Sequence, residues 1–227
     1  MNGNLQIAYE DEHIIICNKP AGLASQSERS LYPDLNGMVY TYLVKKGVKK
    51  EPHIINRLDK PVGGLVLFAL DSKTAAALSA FSGSHSIEKC YYAIVKGEVE
   101  ESGRYTDYLV KNNTSNFSKI GSADDEDAKK AVLEYERLET KMLGNELYSL
   151  VRVKLHTGRH HQIRVQMSGH NHPIYGDVKY NQDFFGQRQV APQLFAYRLS
   201  FNNPWGAERI TVEVAPEGKF SEFAYFK

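Results

Sequence analysis

The sequence predicts an α+β fold, with a mixed and largely antiparallel sheet flanked by helices. Segments with the composition and period of strands outnumber those with helical spacing. Several strand-like segments follow one another across short polar turns, as in hairpins. Neither an internal repeat nor a long linker divides the 227 residues, so we expect a single domain over 1–227.

The composition is that of a globular protein. The apolar and charged fractions, 42% and 24%, are ordinary for a folded domain. The sequence has no apolar run long enough to cross a membrane, and its first residues lack the basic and apolar regions of a signal peptide. Cys17 and Cys90 lie in apolar segments without CxxC spacing, which favours reduced thiols in a cytoplasmic protein.

The first part of the chain is predicted to alternate strands with two helices. Strands are expected at residues 5–9, 14–18, 53–58 and 64–70. The segment 18–22 ends the first pairing because its proline removes a backbone donor. Asn36 is placed to cap a helix to about Lys46, and Ser72 to cap a helix over 73–81 that Gly83 closes.

The second part is predicted to be mostly strands with one helix. Strands are expected at residues 91–95, 131–138, 147–155, 194–201 and 210–214. The polar segment 111–127 is expected to be an exposed loop, because its residues favour turns. A helix is predicted over 158–167, where Ile163 and Met167 are four residues apart and Gly169 follows.

Charge is unevenly distributed along the chain. Between Leu147 and Gly176 there is no Asp or Glu, although this window holds five of the eight histidines. Its cationic side chains are Arg152, Lys154, Arg159 and Arg164. Such a window indicates either a surface that binds a polyanion or a solvated surface balanced by acids nearby in space. Sequence alone leaves both open.

Asp59 is the first candidate for chemistry. It lies between the cations Arg57 and Lys60, and a glycine pair follows at Gly63 and Gly64. Flanking cations favour an ionised carboxylate, which is a usable nucleophile. The alternative is a surface ion pair at a turn, which contributes less than about 1 kcal/mol.

Two further segments offer polar groups. Arg159, beside the start of the predicted third helix, suits a phosphate, and Arg164 lies at the edge of the core face, where it could meet Asp59. An amphipathic helix with a solvated basic side is the alternative. Tyr91 lies in an alternating strand, where a tyrosine either packs in the core or stacks on a base and moves a proton.

The histidines do not match a metal motif. His156 and His160 are four residues apart, but Gly158 lies between them and the glutamate of an HExxH helix is missing. We therefore expect no metal site, and hydrogen bonding or RNA contact is favoured for these side chains.

Four segments carry a resemblance when taken together. They are NRLDKPVGGLVLFAL from Asn56, KCYYAIVKG from Lys89, LHTGRHHQIR from Leu155 and PIYGDVKY from Pro173. In order and spacing they resemble the RluA-type family of RNA pseudouridine synthases over roughly residues 7–201. The early YEDEHIIICNKPAGLAS is similar to the family's opening hairpin and loop. This resemblance implies the pseudouridine synthase catalytic domain without the S4 RNA-binding module.

The resemblance also implies an activity and a site. It makes Asp59 the catalytic aspartate, Tyr91 the active-site tyrosine, Arg164 the basic partner of the aspartate, and Arg57 a residue that holds the flipped nucleotide. Isomerisation of uridine needs no cofactor. We expect the substrate to be a structured RNA, tRNA or rRNA, and the enzyme to be a cytoplasmic monomer without a required protein partner.

The set of expected RNA contacts is Arg57, Lys60, Arg159, His161 and Gln162. The sequence departs from the family pattern at Asn56, where the usual residue is His, and at Val62 and Gly63, where Thr and Ser are usual. Because these departures leave the Asp, Tyr and Arg in place, a catalytically inactive RNA-binding protein on the same fold is the second hypothesis. A metal-dependent hydrolase built on the histidines is the third.

Overall fold

A computed structural model describes residues 5–27, 33–83, 86–112 and 114–227. Its strands in chain order are β1 (Ile7–Glu10), β2 (Ile14–Lys19), β3 (His53–Ile54), β4 (Gly63–Ala69), β5 (Glu88–Lys96), β6 (Ser102–Asn112), β7 (Phe117–Gly121), β8 (Lys129–Leu143), β9 (Glu146–Leu155), β10 (Leu194–Asn202) and β11 (Arg209–Glu213). Its α-helices are α1 (Leu35–Lys45), α2 (Ser72–Gly83) and α3 (Gln162–Gly169), with short 3₁₀ helices at Gln182–Phe184, Gly218–Glu222 and Ala224–Phe226.

Contacts between residues divide the chain into two compact units. The first unit comprises Met1–Glu88 and Ala196–Ala215, and the second comprises Lys89–Phe195 and Pro216–Lys227. Both contain antiparallel strands and helices, so the predicted α+β class is confirmed. A single domain over the whole chain stays a prediction. Within the residues that the structure describes, no helix is both long and apolar enough to cross a membrane.

The first unit is built on β2 and β4. These strands are antiparallel, with Ile14 opposite Ala69 and Lys19 opposite Gly64. All seven residues of β4 are buried, as expected of a central strand with both faces covered. β1 pairs with β2, β3 and β10 pair with β4, and β11 pairs with β10. Its core consists of side chains from these strands and α2, among them Ile14, Ile16, Leu65, Leu67, Leu78, Leu199 and Phe201.

The second unit is an antiparallel sheet in the order β5-β9-β8-β6-β7. A bulge between Arg137 and Glu139 interrupts the long pairing of β8 with β9. Helix α3 packs against β6 and β7. Leu109 of β6, Ala131 of β8 and Val165 of α3 form a small buried cluster there, which fixes the helix on the sheet.

The predicted strands agree with the observed ones to within a few residues, with two exceptions. The strand predicted over 53–58 ends at Ile54, because the side chain of Asn56 then pairs with β4 in place of the backbone. The prediction of a loop over 111–127 was wrong, because the described residues of this segment include the end of β6 and the whole of β7. Four of the five β7 residues are at least partly exposed, so the apolar pattern of a strand is missing.

The helix boundaries also shift for identifiable reasons. Asp34, rather than Asn36, caps α1, since its side chain accepts a hydrogen bond from the backbone N–H of Gly37. Asp71 accepts from the N–H of Thr74 at 2.8 Å, so the capping carboxylate precedes Ser72, which is already helical. Helix α3 begins at Gln162, after a turn, instead of at residue 158.

Candidate active site

Asp59 lies in a tight turn that leads into β4. The N–H of Val62 donates to the carbonyl of Asp59 at 3.0 Å and closes the turn. Leu58 and Val62 are buried, Asp59 is partly buried, and the side chain of Lys60 is exposed. Buried apolar residues on both sides therefore anchor the turn, while the carboxylate lies at the boundary with solvent.

One loop, residues 19–25, binds the backbone on both sides of Asp59. On the preceding side, the hydroxyl of Ser25 accepts from the N–H of Leu58 at 3.0 Å and donates to its carbonyl at 2.9 Å. On the following side, the N–H of Gly22 donates to the carbonyl of Lys60 at 2.8 Å. Because the backbone flanking Asp59 is held at both neighbours, the direction of its Cα–Cβ bond is fixed.

Lys19 is the least expected member of this loop, because its side chain is fully buried. Its ammonium donates to the carbonyls of Leu23 at 2.7 Å and of Pro20 and Lys60 at 3.2 Å each. Burial lowers the pKa of Lys19 to about 8, and the negative charge of Asp59 acts in the opposite direction. A buried cation is tolerated only when such oxygen partners replace its water.

The same loop is attached to the start of α1. Asp34 accepts from the N–H of Gly37 at 2.7 Å and from the N–H of Ser27 at 2.6 Å. The N–H of Leu35 donates to the carbonyl of Ala24 at 2.9 Å. Backbone N–H groups at the start of α1, which lack partners within the helix, thus gain hydrogen bonds. The same contacts fix the loop to the helix.

Asn56 replaces a peptide group in the pairing with β4. Its side-chain oxygen accepts from the N–H of Leu67 at 2.8 Å, and its amide donates to the carbonyl of Leu65 at 3.3 Å. The N–H of Ile55 donates to the carbonyl of Leu67 at 2.9 Å. An amide side chain supplies both a donor and an acceptor. The segment before Asp59 therefore remains tied to the sheet after β3 ends.

The glycine pair after Asp59 has a steric explanation at its second position. Gly64 has φ +118°, and a Cβ there would lie 2.2 Å from the carbonyl oxygen of Ala196 in β10. A side chain at this position would therefore overlap the neighbouring backbone, in addition to straining φ. Gly64 is required for β4 to approach β10 where β4 begins, directly after the Asp59 turn.

In the second unit, Arg164 of α3 forms a buried bidentate ion pair with Asp177. Its Nε donates to Oδ2 at 2.7 Å and its Nη2 to Oδ1 at 2.8 Å, and the two side chains are 3% and 0% exposed. Asp177 Oδ1 also accepts from the N–H groups of Lys179 and Tyr180, at 2.9 and 3.2 Å. The guanidinium lies 5.2 Å from the centre of the Tyr180 ring. Arg164 is thus held in a fixed orientation.

Asp177 lies in the segment PIYGDVKY, but the sequence alone assigned it no role. The pairing predicted for Arg164, with Asp59, stays a prediction. A signal was available, since Asp177 is the first carboxylate after the acid-free window and is therefore a natural partner for a buried guanidinium.

Two histidines lie at the turn that precedes α3. His161 has the left-handed φ of +53°, and its Nδ1 is 2.8 Å from the hydroxyl of Tyr180. His160 stacks on His161 at 3.7 Å, and its Nδ1 is 2.8 Å from the hydroxyl of Ser118 in β7. His161 is 9% exposed. Contact of His161 with RNA stays a prediction, while the observed contacts fix the turn on β7.

The other two predicted RNA contacts of this turn differ in exposure. Gln162 is 3% exposed, and its amide bonds inside the protein, accepting from Thr157 and Arg159 and donating to Val132 and Gln166. RNA contact by Gln162 would have to replace these bonds, and it stays a prediction. Arg159 is exposed, and its Nε donates to the carbonyl of Lys130 at 2.9 Å.

Tyr91 lies in β5, opposite Val153 of β9, and its side chain is 7% exposed. The neighbouring Tyr92 packs edge-on against Phe226, with ring centres 5.0 Å apart. Successive side chains of a strand point to opposite faces, so Tyr91 is on the other face of β5. This agrees with the predicted alternation, and the catalytic role of Tyr91 stays a prediction.

Part of the cationic window has acidic neighbours in space. Arg152 pairs with Glu136 at 2.6 Å, and His156 lies 3.0 Å from Glu134. Along β9 the balanced, solvated surface is therefore the observed arrangement, since both carboxylates come from the adjacent β8. Arg159 of the same window is exposed, and in the first unit Arg57 and Lys60 are exposed as well.

Comparison with known proteins places this fold and these segments in a family. Residues 13–169 match the model of the RNA pseudouridylate synthase family. The chain is 34% identical over 224 residues to tRNA pseudouridine synthase C of Yersinia pestis, covering 92% of this chain and 85% of the relative. It is 30% identical over 238 residues to tRNA pseudouridine synthase C of Pectobacterium carotovorum, covering 97% of this chain and 62% of the relative.

Another relative is named for a different substrate. The chain is 32% identical over 221 residues to ribosomal large subunit pseudouridine synthase D of Zymomonas mobilis, covering 91% of this chain and 67% of the relative. Among solved structures, human RNA pseudouridylate synthase domain containing 1 superposes with a TM-score of 0.76 at 23% identity, covering 94% of this chain and 84% of that one. This last likeness concerns the fold.

The chain therefore belongs to the RNA pseudouridylate synthase family, as its four segments predicted. Members of this family are isomerases, and the predicted class of enzyme is confirmed. The family match includes the Asp59 turn, Tyr91 and Arg164, and Asp177 lies beyond its last residue.

Proposed function

We propose that this protein converts a uridine of a structured RNA, most directly a tRNA, to pseudouridine, with Asp59 as the catalytic carboxylate. The observation that carries the proposal is the turn itself. A partly buried Asp is held by backbone hydrogen bonds at both neighbours inside the segment that matches the family. A surface ion pair at a turn needs no such support.

The reaction sets clear demands on the site. The bond between ribose C1′ and uracil N1 breaks, the uracil turns, and C1′ joins C5. C5 then gives up its proton to a base, which exchanges it with solvent, and N1 takes up a proton in return. Asp59 either attacks C1′ or removes a sugar proton to start an elimination, and an ionised carboxylate serves both routes. Tyr91 is proposed to pack on the uracil and to accept the C5 proton. Arg164 is proposed as the cation that stabilises the carboxylate.

RNA binding has to offset the cost of extracting the nucleotide. Removing a base from its stack costs a few kcal/mol. Exposed cations beside the carboxylate, Arg57 and Lys60, are suited to phosphate contacts and to holding the flipped nucleotide. Arg159, His161 and Gln162 complete the proposed RNA-contacting set. The isomerisation is proposed to proceed without a cofactor, in the cytoplasm and in a monomer.

The choice of tRNA rests on the names of relatives. Those from Yersinia pestis and Pectobacterium carotovorum are named tRNA pseudouridine synthase C. Ribosomal RNA remains the competing substrate, since the relative from Zymomonas mobilis is named for the large ribosomal subunit.

The test is release of tritium from RNA labelled at uridine C5. The wild-type protein is expected to release tritium from one or more tRNA transcripts, with fragments of large-subunit rRNA as the competing substrates. Asp59→Asn is expected to reduce release to background while RNA binding is retained. Asp124→Asn, an exposed carboxylate in the β7–β8 turn, serves as the matched control with wild-type release.

Normal turnover by Asp59→Asn would contradict the proposed role of the carboxylate. If the wild-type protein bound these RNAs without releasing tritium, the inactive RNA-binding hypothesis would replace the proposed function.

A further inference from the structure

A chain of side-chain hydrogen bonds runs from β6 to the turn before α3. Asp107 Oδ2 accepts from Nε2 of Gln166 at 2.7 Å, and Oε1 of Gln166 accepts from Nε2 of Gln162 at 3.0 Å. Oε1 of Gln162 in turn accepts from the backbone N–H of Arg159 at 3.0 Å. The two glutamines are 3% and 0% exposed, so water does not compete for the bonds between them.

The two ends of the chain fix the direction of both amides. The carboxylate of Asp107 accepts and the N–H of Arg159 donates, so each glutamine presents its NH2 group toward Asp107 and its oxygen toward Arg159. Backbone carbonyls of β8 accept from both amides, at 3.1 and 3.4 Å, and favour the same direction. Reversal of either amide would place donor against donor in the interior.

A histidine holds the outer end of this chain. Nε2 of His170 lies 3.2 and 3.1 Å from Oδ1 and Oδ2 of Asp107, and the ring of Tyr105 stacks on His170 with ring centres 3.7 Å apart. His170 is the C-cap of α3, while Asp107 and Tyr105 belong to β6. The carboxylate that sets the amide direction is therefore fixed between the helix and the sheet.

We propose that Asp107 and Gln166 are positioning residues for Arg159, which act through Gln162 to hold the turn before α3 so that the guanidinium reaches an RNA phosphate. This inference rests on the RNA contact proposed for Arg159. The Arg159 side chain is exposed and its Nε donates to the carbonyl of Lys130, so its direction depends on the backbone of the turn. Because a guanidinium binds phosphate through directed hydrogen bonds, a displaced turn should weaken RNA binding.

The test measures the affinity of each full-length protein for a tRNA transcript as a function of salt concentration. Gln166→Met breaks the chain in its middle, and Arg159→Met removes the cation. Gln187→Met removes an exposed amide outside the chain and is the matched control, with wild-type affinity expected. In Arg159→Met we expect about 10-fold lower affinity at about 50 mM salt, and a slope of log K against log salt that is smaller by about 1.

Gln166→Met should reproduce these changes in part, with about 5-fold lower affinity and a smaller slope. Adding Gln166→Met to Arg159→Met should cause no further loss, because both act on one phosphate contact. On an RNA that the wild type modifies, KM should rise while kcat stays within about twofold. A residue that only stabilises the fold would lower the thermal midpoint and leave the salt slope unchanged.

An exchange of groups separates amide direction from packing. Gln166→Glu places a carboxylate against Asp107, where the wild type has a donor and an acceptor at 2.7 Å, and should weaken binding at least as much as Gln166→Met. Adding Asp107→Asn supplies an NH2 group for the new carboxylate, so the double variant should recover to within about threefold of wild-type affinity. Losses that simply add in the double variant would contradict the directional role.

The outcomes are separable. Wild-type affinity and salt slope in a folded Gln166→Met, beside a weakened Arg159→Met, would overturn the positioning role alone. Wild-type affinity in Arg159→Met would overturn its RNA contact and this inference together. Binding is measured without turnover, so an active Asp59→Asn, which contradicts the proposed catalytic role, is a distinct result. If Gln166→Met does not fold, Asp107→Ala, which removes the acceptor at the partly exposed end, decides by the same comparison.

Discussion

The two regions that hold the candidate catalytic groups do so in different ways. In the first unit, Asp59 is supported through the backbone of its neighbours, by Ser25, Gly22 and Lys19. In the second unit, Arg164 is supported through its own side chain, by a bidentate bond to Asp177. The first arrangement acts on the backbone beside the carboxylate, while the second uses the charge of the side chain itself for orientation. The two regions should therefore respond to different substitutions.

The largest expected effect is on the buried ion pair of the second unit. Asp177→Asn removes the bidentate carboxylate partner of the buried Arg164, and we expect the free energy of unfolding to fall by about 3–5 kcal/mol. Urea denaturation measures it. Glu136→Gln, which neutralises the exposed carboxylate paired with Arg152, is the control and should change stability by less than about 1 kcal/mol. Equal losses in the two variants would show that burial is not what makes the Asp177 pair sensitive.

A smaller effect is expected where the first unit depends on backbone fit. Gly64→Ala places a Cβ against the carbonyl of Ala196 and strains φ, and we expect a loss of about 2–4 kcal/mol in the free energy of unfolding. Gly47→Ala is the matched control, because Gly47 also has a positive φ but open space around it. Urea denaturation measures the loss of free energy of unfolding in each variant, and the difference gives the contribution of the contact with the Ala196 carbonyl. Equal losses would show that only the strain in φ matters.

The smallest expected effect is a pH dependence that arises from the first unit. Burial lowers the pKa of Lys19 to about 8 from its usual 10.5, so between these values the unfolded chain binds a proton that the folded protein has released. The free energy of unfolding should therefore rise with pH, by about 1 kcal/mol between pH 8 and 9. Burial also lowers the pKa of Lys89 in the second unit, which acts in the same direction.

Above about pH 9 an opposing contribution begins. Burial raises the pKa of Cys17 to about 12, so the thiol ionises first in the unfolded chain and stability falls. Urea denaturation at several pH values, from about pH 7.5 to about pH 9, measures this rise in the free energy of unfolding. Lys19→Met should reduce the rise of the free energy of unfolding with pH. If the rise were unchanged in that variant, it would be assigned to Lys89 instead.

Apolar period and motif order were sufficient to predict the central strands, the fold class and the family. β4 and β5 are buried along most of their length, and such strands have a strong apolar signature. β6 and β7 were missed because much of their surface is exposed and polar, which resembles a loop in sequence.

The supports of the candidate site could not be predicted from local pattern. A lysine before a proline in a turn is normally solvated, and the burial of Lys19 depends on three carbonyls, one of which lies 41 residues away. Asp177 likewise gains its role from a residue 13 positions earlier. Motifs identify the residues of a site, but tertiary contacts decide what holds them.

Asn56 has a consequence for how the Asp59 turn responds to acid. The family usually has His at this position, and a neutral imidazole also offers one donor and one acceptor. An imidazole becomes a double donor when it is protonated near pH 6.5, and it could then no longer accept from the N–H of Leu67. The amide of Asn56 has no such titration. At this position the protein carries a link between the Asp59 segment and β4 that is indifferent to protons throughout the mildly acidic range.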